Sequence, residues 1–183
     1  MSGSVEDYHA PFVHAQAIRR VRPGENTTTL ASHGHSWFTL DAPVPPALRV
    51  ALYGLMGEAP RPTLGSYCVF PNVTVVTIWS LVQVSNWIPV APDRTLRVTR
   101  YFATTPLPAR WSPRRLLLPI LARLARRRSR KIMREDQWIV REAQAGTRTA
   151  TTMRRGPAHA QEARVEHLLA EVARRLDYRY RDG

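Results

Sequence analysis

A chain of 183 residues, 44% hydrophobic and with five tryptophans, can bury the core of one domain but would be cramped as two, so a single domain over residues 1–183 is expected. No apolar run reaches the roughly 18 residues that cross a bilayer, the polar start MSGSVEDYH has no signal-peptide core, and a cytoplasmic protein follows; the one cysteine, Cys68, excludes an internal disulfide, a multi-cysteine zinc site and an iron–sulfur cluster held by these residues alone. The net charge of +13 raises nucleic acid as a partner, yet nine of the basic residues fall in one acid-free run over 114–134, so a phosphate-binding surface is not expected.

From Ser4 to Arg20 the pattern predicts a helix, with Ser4 as N-cap and with Glu6 and Asp7 in the first turn, where the helix dipole favours negative charge. Pro23-Gly24 ends it. A polar stretch through Thr29 leads into HGHSWFTL, from His33 to Leu40, which has the composition of a strand. Pro43, Pro45 and Pro46 break the chain, Ala47 to Met56 fits a short helix, and EAPRPTLGS reads as turn.

The strongest β signal follows in Tyr67–Phe70, Val73–Trp79, Leu81–Val90 and Thr95–Thr104. Connections as short as Pro71-Asn72 and Pro92-Asp93 make these neighbours antiparallel. In the last of them Leu96, Val98 and Arg100 alternate with Arg97, Thr99 and Tyr101, the pattern of a sheet wet on one face.

After Pro106 and Pro108 the period becomes helical. Leu116, Leu117, Ile120, Leu121 and Leu124 form a stripe within a basic segment, 112–131, that reads as a helical insertion. Lys131 is the only lysine among 27 basic residues, a skew that points to coding bias rather than to a selected binding surface. Ile132 to Ala145 continues as a second helix with Ile139 and Val140 inward and Gly146 as C-cap. A final helix, about Ala160 to Leu176, places Val165, Leu168, Leu169, Val172 and Leu176 at helical spacing with charges opposite. An antiparallel sheet with long helices is an α+β fold, and the last helix is suited to fill the curve of the sheet.

Chemistry is concentrated in two segments. EDYHAPFVH places His9 and His14 five residues apart; on a regular helix that spacing turns through about 500°, leaving the rings roughly 140° apart. Convergence on one metal therefore needs a widened turn, for which Pro11 supplies a cause; otherwise both are ordinary polar residues. EDQWIVREAQAG offers Asp136 at a helix start, as a carboxylate ligand or simply as an acid in a first turn. Two neutral imidazoles and one carboxylate leave positions free for oxygen and substrate, the arrangement of non-haem iron(II) oxygenases.

EDYHAPFVH, VFPNVTVV, IPVAPDRTLRVTRYF and EDQWIVREAQAG, in this order, resemble the catalytic domain of Rieske-type ring-hydroxylating oxygenase alpha subunits over about Glu6 to Leu176. The resemblance implies a helix-grip fold, a curved antiparallel sheet around a long C-terminal helix. It implies Fe(II) held by His9, His14 and Asp136, with Glu6 three positions before the first histidine linking the site to the Rieske cluster of a neighbouring subunit. A carboxylate in that position can orient a ligand imidazole and raise its basicity. The asparagine that the family often places seven positions before that histidine is replaced by Ser2.

By the same resemblance the reaction is hydroxylation of an aromatic or other small apolar organic substrate with O2. Electrons would come from an external [2Fe-2S] Rieske cluster, on a ferredoxin-like protein or separate Rieske subunit served by a reductase, and a homo-oligomer is compatible with that. The Rieske segments, with their paired Cys-x-His and Cys-x-x-His, are missing, so the chain is expected to be truncated relative to the family. A separate cluster protein, a start placed too late, or an inactive remnant would each explain this. The rival reading is a helix-grip module that holds an apolar ligand without metal or turnover.

Three features are weaker. His33 and His35, alternating on a strand, would share a face but lack further ligands. Asn26-Thr27-Thr28 matches a glycosylation acceptor, without meaning unless secreted. Arg114 to Arg130 has the form of a helix that could lie on an anionic membrane, although a solvated insertion is the expected role.

Overall fold

Runs of Val, Thr and aromatic residues that pack well on a pleated surface build one sheet. In the computed structural model of the protein, residues 27–41, 47–55, 63–78, 81–103, 116–149 and 162–176 are described. Six strands, β1 (Thr27–Leu30), β2 (Ser36–Asp41), β3 (Thr63–Val69), β4 (Val73–Ile78), β5 (Leu81–Ala91) and β6 (Arg94–Ala103), lie side by side in chain order. Every neighbouring pair is antiparallel. Three helices accompany them: α1 (Ala47–Leu55), α2 (Leu118–Thr149) and α3 (Ala163–Arg175). This is the expected α+β, helix-grip-like arrangement, a curved antiparallel sheet with a long C-terminal helix. The expected helix over Ser4 to Arg20 lies outside the described residues, and with it Glu6, His9 and His14.

Strand boundaries follow local chemistry. Pro92 and Asp93 alone separate β5 from β6, and Pro89 lies beyond Asn86, where the pairing of β5 with β4 ends, so its missing N–H interrupts no ladder on that side. Two stretches depart from expectation. The threonine-rich stretch up to Leu30 is a strand, because Thr is β-branched and Thr27–Leu30 finds a partner in Ser36–Thr39. The stretch read as turn contains the start of β3, where Gly65 makes room for a neighbour: a Cβ there would fall 2.7 Å from the Thr77 hydroxyl and 2.8 Å from the Tyr67 ring.

Side chains of one parity face the helices. The row Ser36, Cys68, Thr74, Ser85, Thr99 crosses five strands in register, and the next row runs Phe38, Ser66, Val76, Gln83, Tyr101. Against this inner face α3 packs at the β1–β2 end, where Leu168 meets Cys68 with Phe70 and Val165 beside them. Small side chains in the first row allow the helix to approach closely. The other long helix, α2, touches β6 at the opposite edge.

The helices differ from expectation in three respects. α2 is one continuous helix through Gly146, since no proline or glycine interrupts Ile120 to Ala145. Its covered stripe is Leu124, Ser129, Ile132, Asp136 and Ile139, while Val140 and Trp138 are exposed. On α3 the buried row is Arg164, Leu168 and Glu171, with Leu169 and Leu176 exposed, so charged residues lie on the packed face rather than opposite it. Arg164 achieves this by lying 3.8 Å over the ring of Phe38, where apolar stem and cation are both accommodated. Among the described residues no helix is long and apolar enough to cross a membrane.

Candidate metal and substrate site

The alternation expected in β6 is present, and its polar members are the ones turned inward. Leu96 and Phe102 are 53% and 50% exposed, whereas Arg97, Thr99 and Tyr101 point to the inner face. Polar side chains turned inward are more informative than apolar ones turned outward, because each needs a partner there. On β4 and β5, Val76, Ser85 and Trp87 belong to this inner face, and Val75 and Val84 face away.

These groups are connected. The Trp87 indole N–H donates to the Thr74 hydroxyl at 2.9 Å, and the Ser85 and Thr99 hydroxyls are 3.1 Å apart. Arg97 donates from Nη2 to the Ser85 hydroxyl at 3.0 Å, with its guanidinium 4.6 Å from the Trp87 ring centre. Farther along, the Tyr101 hydroxyl donates to Ser129 at 2.6 Å, and Ser129 donates to the Gln83 carbonyl oxygen at 3.0 Å. The second pair of bonds ties α2 to the sheet.

That tie orients Asp136. It stands seven residues after Ser129, and seven residues complete about two turns, so both lie on one side of α2. Its carboxylate is half-buried, and its charge reaches the inner face. Burial pushes the Arg97 guanidinium below its ordinary pKa, while the charges of Tyr101 and Asp136 push it back up. A hard anionic oxygen donor delivered to the inner face is chemically suited to a divalent cation. Of the ligands expected from the sequence, Asp136 is the one among the described residues; His9 and His14 lie outside them, as does Glu6.

No group of three or more His, Cys, Asp or Glu residues able to hold a metal occurs among the described residues. His33 and His35 do not share a strand face, because the chain makes a helical turn at Ser32–Gly34 before β2 begins. His33 adopts a left-handed conformation (φ 59°) and is exposed. His35 accepts a hydrogen bond at Nδ1 from the Phe70 backbone N–H, 3.1 Å away, and so serves the fold. His167 likewise donates from Nε2 to the Ala31 carbonyl at 2.7 Å, joining α3 to the end of β1. Burial pushes the Cys68 thiol above its ordinary pKa, against the charge of Arg164, so it remains a packing group rather than a thiolate ligand.

Sequence reasoning missed Arg97, Ser85 and Trp87. The available signal was the period-two spacing of Gln83, Ser85 and Trp87 in an otherwise aliphatic strand, opposite Arg97, Thr99 and Tyr101.

Neither a curated protein nor a solved structure is similar enough to the chain to count as a match. A family model does match, that of the ring hydroxylating alpha subunit (catalytic domain), over residues 1–178. Proteins of that family are oxygenases that use non-haem iron with a Rieske partner, and the sheet and helices found here suit that fold. The match spans nearly all of the 183 residues, so the chain belongs to the family of ring-hydroxylating oxygenase alpha-subunit catalytic domains.

Proposed function

We propose that the chain hydroxylates an aromatic or other largely apolar organic molecule with O2, using Fe(II) held by His9, His14 and Asp136. The observation that supports this reading is the place of Asp136, the carboxylate of the EDQWIVREAQAG segment, on the side of α2 that Ser129 ties to the polar inner face of the sheet. Bound iron would supply O2 activation, with electrons from an external Rieske [2Fe-2S] centre. The 183 residues contain one cysteine, Cys68, and it is buried, so that cluster must reside elsewhere.

The chain's own groups divide the work. His9 and His14 would serve as neutral donors to the iron and Asp136 as the anionic one. Glu6, three positions before His9, would orient a ligand imidazole and raise its basicity. Trp87, with the Arg97 guanidinium over its ring, offers an aromatic group beside the substrate on the inner face. Overall balance requires two electrons and two protons per O2, giving either a cis-diol or one hydroxyl plus water.

The test is Fe(II) stoichiometry in protein purified anaerobically and reconstituted with iron. About one iron per chain is expected, and it is lost in H9A, H14A and D136A. Folded protein that takes up no iron would refute the oxygenase reading and favour a metal-free ligand-binding module.

A further inference from the structure

Arg97 is not among the proposed iron ligands, yet it is the cation of the inner face closest in sequence and register to the aromatic wall at Trp87. One of its nitrogens, Nη2, donates to Ser85, and among the described residues Nε and Nη1, both fully buried, meet no acceptor. Buried donors of a charged group are ordinarily satisfied, and their partner is commonly an anion. The Trp87 ring covers the guanidinium, and Ser85 fixes one of its corners, so its plane is set in advance of binding.

We infer that Arg97 is a substrate-recognition residue, and that the substrate is an aromatic or apolar acid whose carboxylate docks on Arg97 while its body lies beside Trp87. The inference rests on the oxygenase reading only in calling that ligand a substrate. Nη2 carries two hydrogens and Ser85 takes one, so one edge of the planar guanidinium keeps a parallel pair of donors, from Nη2 and an unpartnered neighbour, which matches the two oxygens of a carboxylate better than the diffuse needs of a neutral group. Asp136 compensates part of the Arg97 charge through space. A divalent cation on Asp136 would draw off that compensation, which makes an anionic partner for Arg97 more favourable in the loaded protein. Neutral hydrocarbons leave the buried donors unsatisfied and are disfavoured on that account.

Calorimetric titration of the iron-free full chain tests this independently of catalysis. The probes are matched pairs: benzoate with benzamide, phenylacetate with phenylacetamide, and 2-naphthoate with 2-naphthamide. At least one acid should bind at least about tenfold more tightly than its amide, the ratio expected when a buried charge gains or lacks its counter-ion. R97Q should abolish that preference and R97K should keep part of it, with far-UV circular dichroism confirming that both fold. Equal binding of every acid and its amide by the wild-type chain would overturn the inference even if a variant fails to fold, and so would a preference that survives in R97Q. Iron stoichiometry on the same preparations reports on the metal site alone, so the two readings fail separately.

Discussion

Ser129→Ala tests whether α2 is fixed to the sheet as the hydrogen bonds indicate. The substitution removes the acceptor of the Tyr101 hydroxyl at 2.6 Å and the donor to Gln83 at 3.0 Å. Each bond contributes about 1 kcal/mol net, so the loss is about 2 kcal/mol. Alanine is the better helix former by roughly 0.5 kcal/mol, which leaves a destabilisation of about 1.5 kcal/mol. For a chain of this length that corresponds to a fall in Tm of about 3–6 °C. A double-mutant cycle with Tyr101→Phe, followed by thermal unfolding, should return a coupling of about 1 kcal/mol, because the two side chains share one bond. Since Asp136 lies on the same side of α2, Ser129→Ala should also weaken iron binding. A variant as stable as the wild type, with no coupling to Tyr101, would show that the helix is held by other means and that Asp136 is not oriented in this way.

Further outcomes follow from the packing of α3. Gly34→Ala should lower the denaturant midpoint by the equivalent of about 2–4 kcal/mol, because Gly34 has φ 76° and its new Cβ would lie 2.9 Å from both the Glu171 side chain and the Phe70 ring. Leu168→Ala should cost about 2–4 kcal/mol by opening a cavity over Cys68, measured as a shifted midpoint at unchanged slope. Hydrogen bonds from Arg174 and Arg175 hold the Glu171 carboxyl well below the usual carboxylate range, at about 2 against an ordinary 4.5. A folded-state value below the unfolded one stabilises the protein above about pH 4.5, and that contribution disappears as the pH falls toward 2. Wild type and Glu171→Gln should therefore differ in Tm at neutral pH and converge near pH 2; a constant difference would contradict the pairing.

The central strands were legible because their β-branched runs and proline-bounded turns act locally, and register follows once neighbours are joined by two or three residues. The final helix was legible for a similar reason, since its apolar spacing is a local pattern. What escaped was the sense of each face. Arg97, Thr99 and Tyr101 alternate just as residues of a wet face would, and only the side on which α2 and α3 pack shows that they point inward. Arg164 misled for the same reason, because its burial depends on Phe38, a residue more than a hundred positions away. His33 and His35 were misread because a left-handed residue separates them, and nothing in two histidines and a glycine distinguishes that turn from a strand. The proposed site residues Glu6, His9, His14 and Asp136 come from motif resemblance, since helical spacing alone argues against convergence of the two histidines.

X-ray absorption at the iron edge, on the anaerobically loaded full chain, addresses the ligand set itself. Scattering from two imidazole rings together with oxygen donors is predicted, with the imidazole contribution halved in His9→Ala and again in His14→Ala alone, and an oxygen donor lost in Asp136→Ala. An iron environment without imidazole scattering, or one unchanged by all three substitutions, would contradict a metal centre built from these residues.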